Sequence, residues 1–221
     1  MNHMAADDSG VQRAVRYGIL GGTFDPPHLG HLVLGQEAYT ALSLDKVWFV
    51  PAGQPPHKLE STHTAADIRR HLVELAIAGD ERFGLCAVEL LRAGPSYTVD
   101  TLRELRAIWG PQAWICLILG WDMVSYLPNW HDPSGVLKLV DQIAAAERPG
   151  YQVSDEELAG LALTFPDFRV KVKVFSVPQV DIAATALRQR VASGQPVQYL
   201  VPEAVRAYIE DHGLYRTMDS R

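Results

Sequence analysis

Two histidines, His28 and His31, stand in the run Gly21–Gly22–Thr23–Phe24–Asp25–Pro26–Pro27–His28–Leu29–Gly30–His31. Their spacing at the start of a helix puts both imidazoles on one face, where they can point at the same anion. Each can donate a hydrogen bond, and each gains charge when an anion raises its pKa. Two such donors suit a phosphorus centre on which negative charge grows in the transition state. Gly21 and Gly22 let the backbone approach a ligand closely, and the helix start supplies unpaired N–H groups with partial positive charge. The run is neither a GxGxxG fingerprint nor a P-loop, because it lacks the Gly-Lys-Ser/Thr ending. Two arbitrary histidines would be read as surface or capping groups. The Gly-Gly pair, the Asp-Pro-Pro turn and the strand–loop–helix setting favour the chemical reading.

Such a loop needs a strand to deliver it and a helix to receive it. Val15–Gly21 reads as a first strand, Gly22–Pro27 as the loop, and about His28–Ala41 as a helix. Short apolar runs then alternate with helical patterns. Strands are expected at Lys46–Pro51, Phe83–Leu90, Ala113–Leu119, about Asp141–Ala146 and Phe168–Val177. Helices are expected at Asp67–Ala78, Thr98–Trp109, near Ser134–Lys138, and at Ser154–Leu163, Ala184–Ala192 and Pro202–His212. Ile68, Leu72, Leu75 and Ala76 share one helical face, and Val99, Leu102, Leu105 and Ile108–Trp109 are expected to face inward. Ser154 with Glu157 forms a capping box. Ala113–Leu119 is nearly all apolar, as in a strand buried on both faces of a parallel sheet. After Gly120 a loop carrying Pro128 and Pro133 is expected. This order predicts an α/β fold: a Rossmann-like, doubly wound parallel sheet with helices on both faces, the glycine loop lying where such sheets bind phosphates. No linker-like stretch divides the chain, so one domain is expected over residues 15–221, behind a loose lead over 1–14.

Composition narrows the function classes. Of 221 residues, 48% are hydrophobic and 21% charged, enough for a substantial core and too apolar for disorder. Twenty Lys and Arg against 26 Asp and Glu leave a formal charge of −6. Duplex and membrane-surface binding depend on basic patches, so neither nucleic acid nor membrane is an expected partner. Cys86 and Cys116 lie in apolar runs and read as buried, reduced thiols, too few for a disulfide framework or a Cys-rich zinc site. The eight histidines never combine with Cys or carboxylates at ligand spacing, so no protein metal site is expected. No apolar run approaches the ~20 residues of a membrane span, and the N-terminus lacks a secretory signal's apolar core, so a cytoplasmic location is expected.

The run GTFDPPHLGH resembles the GxFDPxHxGH pattern of the nucleotidyltransferase superfamily, which joins a nucleoside monophosphate to a phosphate-bearing acceptor. Val50–Lys58 (VPAGQPPHK), Pro95–Leu102 (PSYTVDTL), Gly120–Trp130 (GWDMVSYLPNW), Arg148–Gly150 (RPG) and Tyr199–Tyr215 are similar to segments of bacterial nicotinate-nucleotide adenylyltransferases, over roughly residues 15 to 215. The resemblance implies an ATP site lined by Gly21, Gly22, Thr23 and Phe24, with His28 and His31 on the phosphates and Gly120 and Asp122 at the ribose. It places Thr185 and Arg188 on the departing pyrophosphate. Asp25, Lys58, Tyr97, Thr98 and Trp130 are assigned to the acceptor. Among these, the Tyr97–Thr98 turn offers backbone N–H groups to the pyridine carboxylate, and Trp130 stacks on the ring. Without the resemblance, Lys58 reads equally as a solvated turn residue and Trp130 as core. Two departures stand out: Ala183 occupies a position where the family's late motif has Ser, removing a hydroxyl that caps a helix or touches phosphate, and Trp121 is bulky beside Asp122.

The implied reaction is attack by the 5′-phosphate of nicotinate mononucleotide on the α-phosphorus of ATP, giving deamido-NAD and pyrophosphate. A phosphate oxygen is already a competent nucleophile, so positioning and charge neutralisation by His28, His31, Arg188 and an ATP-bound Mg²⁺ would suffice. The rivals are an enzyme for the amidated mononucleotide or one of dual specificity, and a catalytically weak nucleotide-binding protein. A homo-oligomer is compatible with the sequence.

Overall fold

The computed structural model describes residues 13–55, 64–147, 153–178 and 180–216. Its strands are β1 (Arg16–Gly22), β2 (Lys46–Pro51), β3 (Phe83–Leu85), β4 (Trp114–Gly120), β5 (Gln142–Glu147) and β6 (Val172–Ser176). They form one parallel sheet in the order β3-β2-β1-β4-β5-β6. The chain therefore winds outward from β1 to one edge, returns to β4, and winds outward to the other. Loops leaving the carboxyl ends of β1 and β4 diverge, which opens a crevice between them where such sheets bind ligands.

Alternation along the central strands puts apolar side chains on both faces. Ile115 and Leu117 of β4 pack against Val99, Leu102 and Leu105 of α4 (Thr98–Trp109) and Val136 of α6 (Pro133–Leu139). Cys116 and Ile118 face the other way, toward Ala38 of α1 (Leu29–Ala41) and Val73 of α2 (Ala66–Ile77). A third cluster joins Leu72 of α2 to Leu187 of α9 (Ala184–Ala192) and to Val205 and Ile209 of α10 (Glu203–Asp211), with Ile68, Leu75 and Ala76 packed on it. The C-terminal helices are thereby brought beside the glycine loop, and the Leu29 N–H donates to Leu200 O at 3.0 Å. None of the helices in the described residues is long and apolar enough to cross a membrane.

The doubly wound α/β architecture is as expected, and α4 and α9 have the expected limits. Five local readings need correction. The apolar stretch from Phe83 is a strand only to Leu85 and then becomes the short helix α3 (Val88–Leu91). Likewise Phe168–Lys171 is a helical turn, α8, whose buried Phe168 plugs the core before β6 begins. A short apolar run has no period long enough to tell helix from strand. The expected loop after Gly120 contains α5 (Trp121–Ser125) and a 3-10 turn over Leu127–Asn129. Ile108, expected to face inward, is 64% exposed, whereas its neighbour Trp109 packs on the core. Of the two free thiols, Cys116 is buried and Cys86 only half-buried. Helix α7 (Asp155–Thr164) begins as expected at a Ser154–Glu157 capping box.

Candidate active site

The loop from β1 to α1 is held in one conformation by its own side chains. Phe24 takes a left-handed backbone (φ 50°), and its buried ring lies edge-on to His31 with centroids 4.8 Å apart. His28 is the N-cap of α1, and its backbone N–H donates to His31 Nδ1 at 3.1 Å. With Nδ1 accepting, the neutral His31 ring carries its proton on Nε2, ready to donate to an anion. The two imidazoles stack with centroids 3.7 Å apart and planes at 28°. Gly30 leaves room for this contact, since a Cβ there would lie 3.1 Å from His28 Nδ1 and press on the ring. That nitrogen is buried and has no hydrogen-bond partner among the described residues. Burial lowers the His28 pKa to about 4 and holds His31 well below its ordinary value, with the neighbouring His28 charge adding to the effect. Before any ligand arrives, the pair is therefore neutral at pH 7 and offers N–H donors rather than fixed charge.

Beneath the loop lies a polar cluster in which Asp25 is 1% exposed. Asp25, which the resemblance assigns to the acceptor, has protein partners: Tyr215 donates its hydroxyl to Oδ1 at 2.7 Å, and the Thr64 N–H donates to Oδ2 at 3.2 Å. Burial pushes the Asp25 carboxyl up, but the bonds from Thr64 and Tyr215 and the Arg188 charge more than offset it, so its pKa lies below the usual value. Arg188 donates to Asp25 O at 2.8 Å and to Thr185 Oγ1 at 3.3 Å, which ties the start of α9 to the loop. Ala183 is the N-cap of α9 and supplies no side-chain cap.

Arg69 of α2 is not conspicuous in the sequence, yet it ties the loop to the sheet. It is 2% exposed and donates to Thr64 O (2.9 Å), Thr23 O (2.9 Å), Ala52 O (2.7 Å) and Gly53 O (3.2 Å). The available signal is its spacing from Leu72 and Val73, which puts an arginine on a buried helical stripe. The Tyr215–Asp25 bond spans 190 positions and leaves no local trace.

From Gly21, Gly22 and Thr23 a cavity of about 980 Å³ extends across the crevice to Tyr97, Thr98 and Trp130. Tyr97 stacks on His131, with centroids 4.2 Å apart. The Asp100 and Thr101 N–H groups both donate to Tyr97 O, and the Thr98 and Val99 N–H groups belong to the first turn of α4, where no preceding helical carbonyl can receive them. Trp130 lines the cavity and also packs on the core, with its indole N–H buried and unpartnered among the described residues. Gly120 caps α5 at the end of β4, and Asp122 lies exposed in the first turn of that helix, outside the cavity lining. The bulk of Trp121 has a packing role: its buried indole sits in the core and donates to Glu157 Oε1 at 3.3 Å, linking α5 to the cap of α7. Lys58 and Arg148–Gly150 lie outside the described residues.

Comparison with known proteins decides the family. A family model described as cytidylyltransferase-like matches residues 19–190. A "probable nicotinate-nucleotide adenylyltransferase" of Dehalococcoides mccartyi is 40% identical over 206 residues, covering 91% of this chain and 98% of its own. One of the same description from Geobacillus thermodenitrificans is 44% identical over 200 residues, covering 90% of this chain and 86% of its own. The chain belongs to the nicotinate-nucleotide adenylyltransferase family. The same fold occurs in solved structures at much lower identity. The nicotinic acid mononucleotide adenylyltransferase of Plasmodium falciparum complexed with NaAD superposes with a TM-score of 0.73 at 17% identity, over 90% of this chain and 97% of that one. The same protein complexed with APC gives 0.71 at 18% identity, over 90% of this chain and 96% of that one.

Proposed function

We propose that the protein transfers the adenylyl group of ATP to nicotinate mononucleotide, releasing deamido-NAD and pyrophosphate. One observation carries the reading: the glycine loop, through Gly21, Gly22 and Thr23, lines a cavity of about 980 Å³ that extends to Tyr97, Thr98 and Trp130, with the stacked His28–His31 pair farther along the same loop. ATP lies along Gly21–Phe24, with its phosphates against His28 and His31 and its ribose toward Gly120 and Asp122. A 5′-phosphate oxygen of the acceptor attacks the α-phosphorus in line. The new P–O bond forms as the bond to the β-phosphate oxygen breaks, and the electron pair leaves on pyrophosphate. Thr185 and Arg188 receive that leaving group, and the histidine N–H donors stabilise charge spreading over the equatorial oxygens. No general base is needed.

Mg²⁺ belongs to the same proposal as the counter-ion of ATP, neutralising charge on the phosphates. In this reading its ligands are mostly phosphate and water oxygens rather than a protein cage. On the acceptor side, the first-turn N–H groups of α4 suit the pyridine carboxylate, and Trp130 offers an aromatic face.

The test is dinucleotide formation with Mg-ATP, comparing the acid and amide mononucleotides. Preference for the acid is the expected result. Equal use of both would replace it by dual specificity, and turnover with neither would overturn the acceptor assignment while leaving the phosphate site standing.

A further inference from the structure

Glu89 of α3 lines the cavity and is 8% exposed, and the reaction outlined above gives it no task. Its surroundings constrain it closely. Ser96 Oγ accepts two backbone N–H bonds from the end of β2, Gly53 at 2.9 Å and Gln54 at 3.2 Å. With both lone pairs engaged, its single proton must go to an acceptor, and the Glu89 carboxylate is the group whose charge that hydroxyl stabilises. Thr101 Oγ1 in turn accepts from Arg92 at 2.9 Å and directs its proton to Glu89 Oε1 at 2.7 Å. Glu89 thus faces two buried hydroxyls, those of Ser96 and Thr101, that bracket Tyr97 and Thr98. The backbone is equally tight here, since a Cβ on Gly53 would lie 2.3 Å from Glu89 O. The Ser96 N–H closes the frame by donating to Gln54 O at 2.8 Å.

We propose that Glu89 is a positioning residue for the acceptor side of the cavity: by accepting from Ser96 and Thr101 it fixes the turn that presents the Thr98 and Val99 N–H groups to the acceptor's carboxylate. The proposal rests on the functional reading above for the identity of that acceptor. An amide cannot substitute for the carboxylate. Glutamine would turn an N–H toward one of two hydroxyls, and the Ser96 oxygen has no lone pair left to receive it.

The test uses the full chain with Glu89→Gln, Glu89→Asp and Ser96→Ala. Two readouts are taken: steady-state kinetics with each substrate varied separately, and amide hydrogen exchange over residues 95–101. Glu89→Gln should raise KM for nicotinate mononucleotide roughly tenfold, the scale of one lost buried hydrogen bond. KM for ATP should stay within about twofold, and exchange at Thr98 and Val99 should speed up. Ser96→Ala should show the same pattern, with the double variant no worse than either single one, and Glu89→Asp should recover part of the loss. Equal rises in both KM values, or unchanged exchange at Thr98, would overturn the proposal. If the unmodified protein fails to use the mononucleotide, the functional reading falls by itself, because the exchange data still decide the role of Glu89. Should Glu89→Gln fail to fold, Ser96→Ala and Glu89→Asp decide the matter by the same two readouts.

Discussion

Replacing Arg69 by methionine keeps much of the buried side-chain volume and removes every donor. Four backbone carbonyls then lose a partner: Thr23 O, Ala52 O, Gly53 O and Thr64 O. A buried acceptor left unpaired costs about 1–3 kcal/mol. Ala52 is buried and should incur the full penalty, whereas Thr23, Gly53 and Thr64 are half-buried and can recover part of it from water. The expected loss is about 4 kcal/mol, less than the roughly 5–15 kcal/mol of a typical domain, so Arg69→Met should remain folded at 25 °C. Burial lowers the Arg69 pKa, partly offset by the Asp25 charge, yet an arginine remains protonated there at pH 7. Arg69→Lys keeps the charge and reaches fewer of the carbonyls, so about half the loss is expected. The assay is urea unfolding with a common m-value, with a melting point drop of roughly 8–16 °C as a check. Because Thr23 belongs to the glycine loop, both variants should also raise KM for ATP. A change below about 1 kcal/mol for Arg69→Met would refute the reasoning, showing that the four bonds contribute little net stability.

Three further outcomes are expected. The His28 pKa lies at about 4 in the folded protein against 6.5 in an unfolded chain. Stability from this group is therefore full above pH 6.5 and is lost as pH falls toward 4, by about 3 kcal/mol; His28→Gln should flatten that dependence in unfolding titrations, and an unchanged slope would count against a buried neutral imidazole. Ala183 already has extended backbone (φ −114°, ψ 132°) at the start of α9, so Ala183→Ser should add a cap worth about 0.5–2 kcal/mol and lower KM for ATP, with no rise in melting temperature as the contrary result. Tyr215→Phe removes the hydroxyl that donates to Asp25, so denaturant unfolding at pH 7 should show a loss of about 1–3 kcal/mol; an unchanged midpoint would mean that water replaces the bond.

Local chemistry and periodicity are enough to place the glycine loop, the two histidines on one helical face, the alternation of strands and helices and the start of α7. Each depends on contacts between residues a few positions apart: His28 with His31, Ser154 with Glu157, and the regular spacing of Val99, Leu102 and Leu105. Short apolar stretches such as Phe83–Leu90 mislead because helix and strand burial leave the same trace over so few residues. The partners of Asp25, Arg69, Trp121 and Glu89 belong only to the tertiary structure. Asp25 meets Tyr215 across 190 positions, and Arg69 meets Thr23 across 46. A buried polar side chain must find its partners wherever the fold brings a complementary atom, and no sequence period records that meeting. The sequence determined which groups could do the chemistry, and the packing of the sheet with its helices decided which of them line the cavity and which hold the others in place.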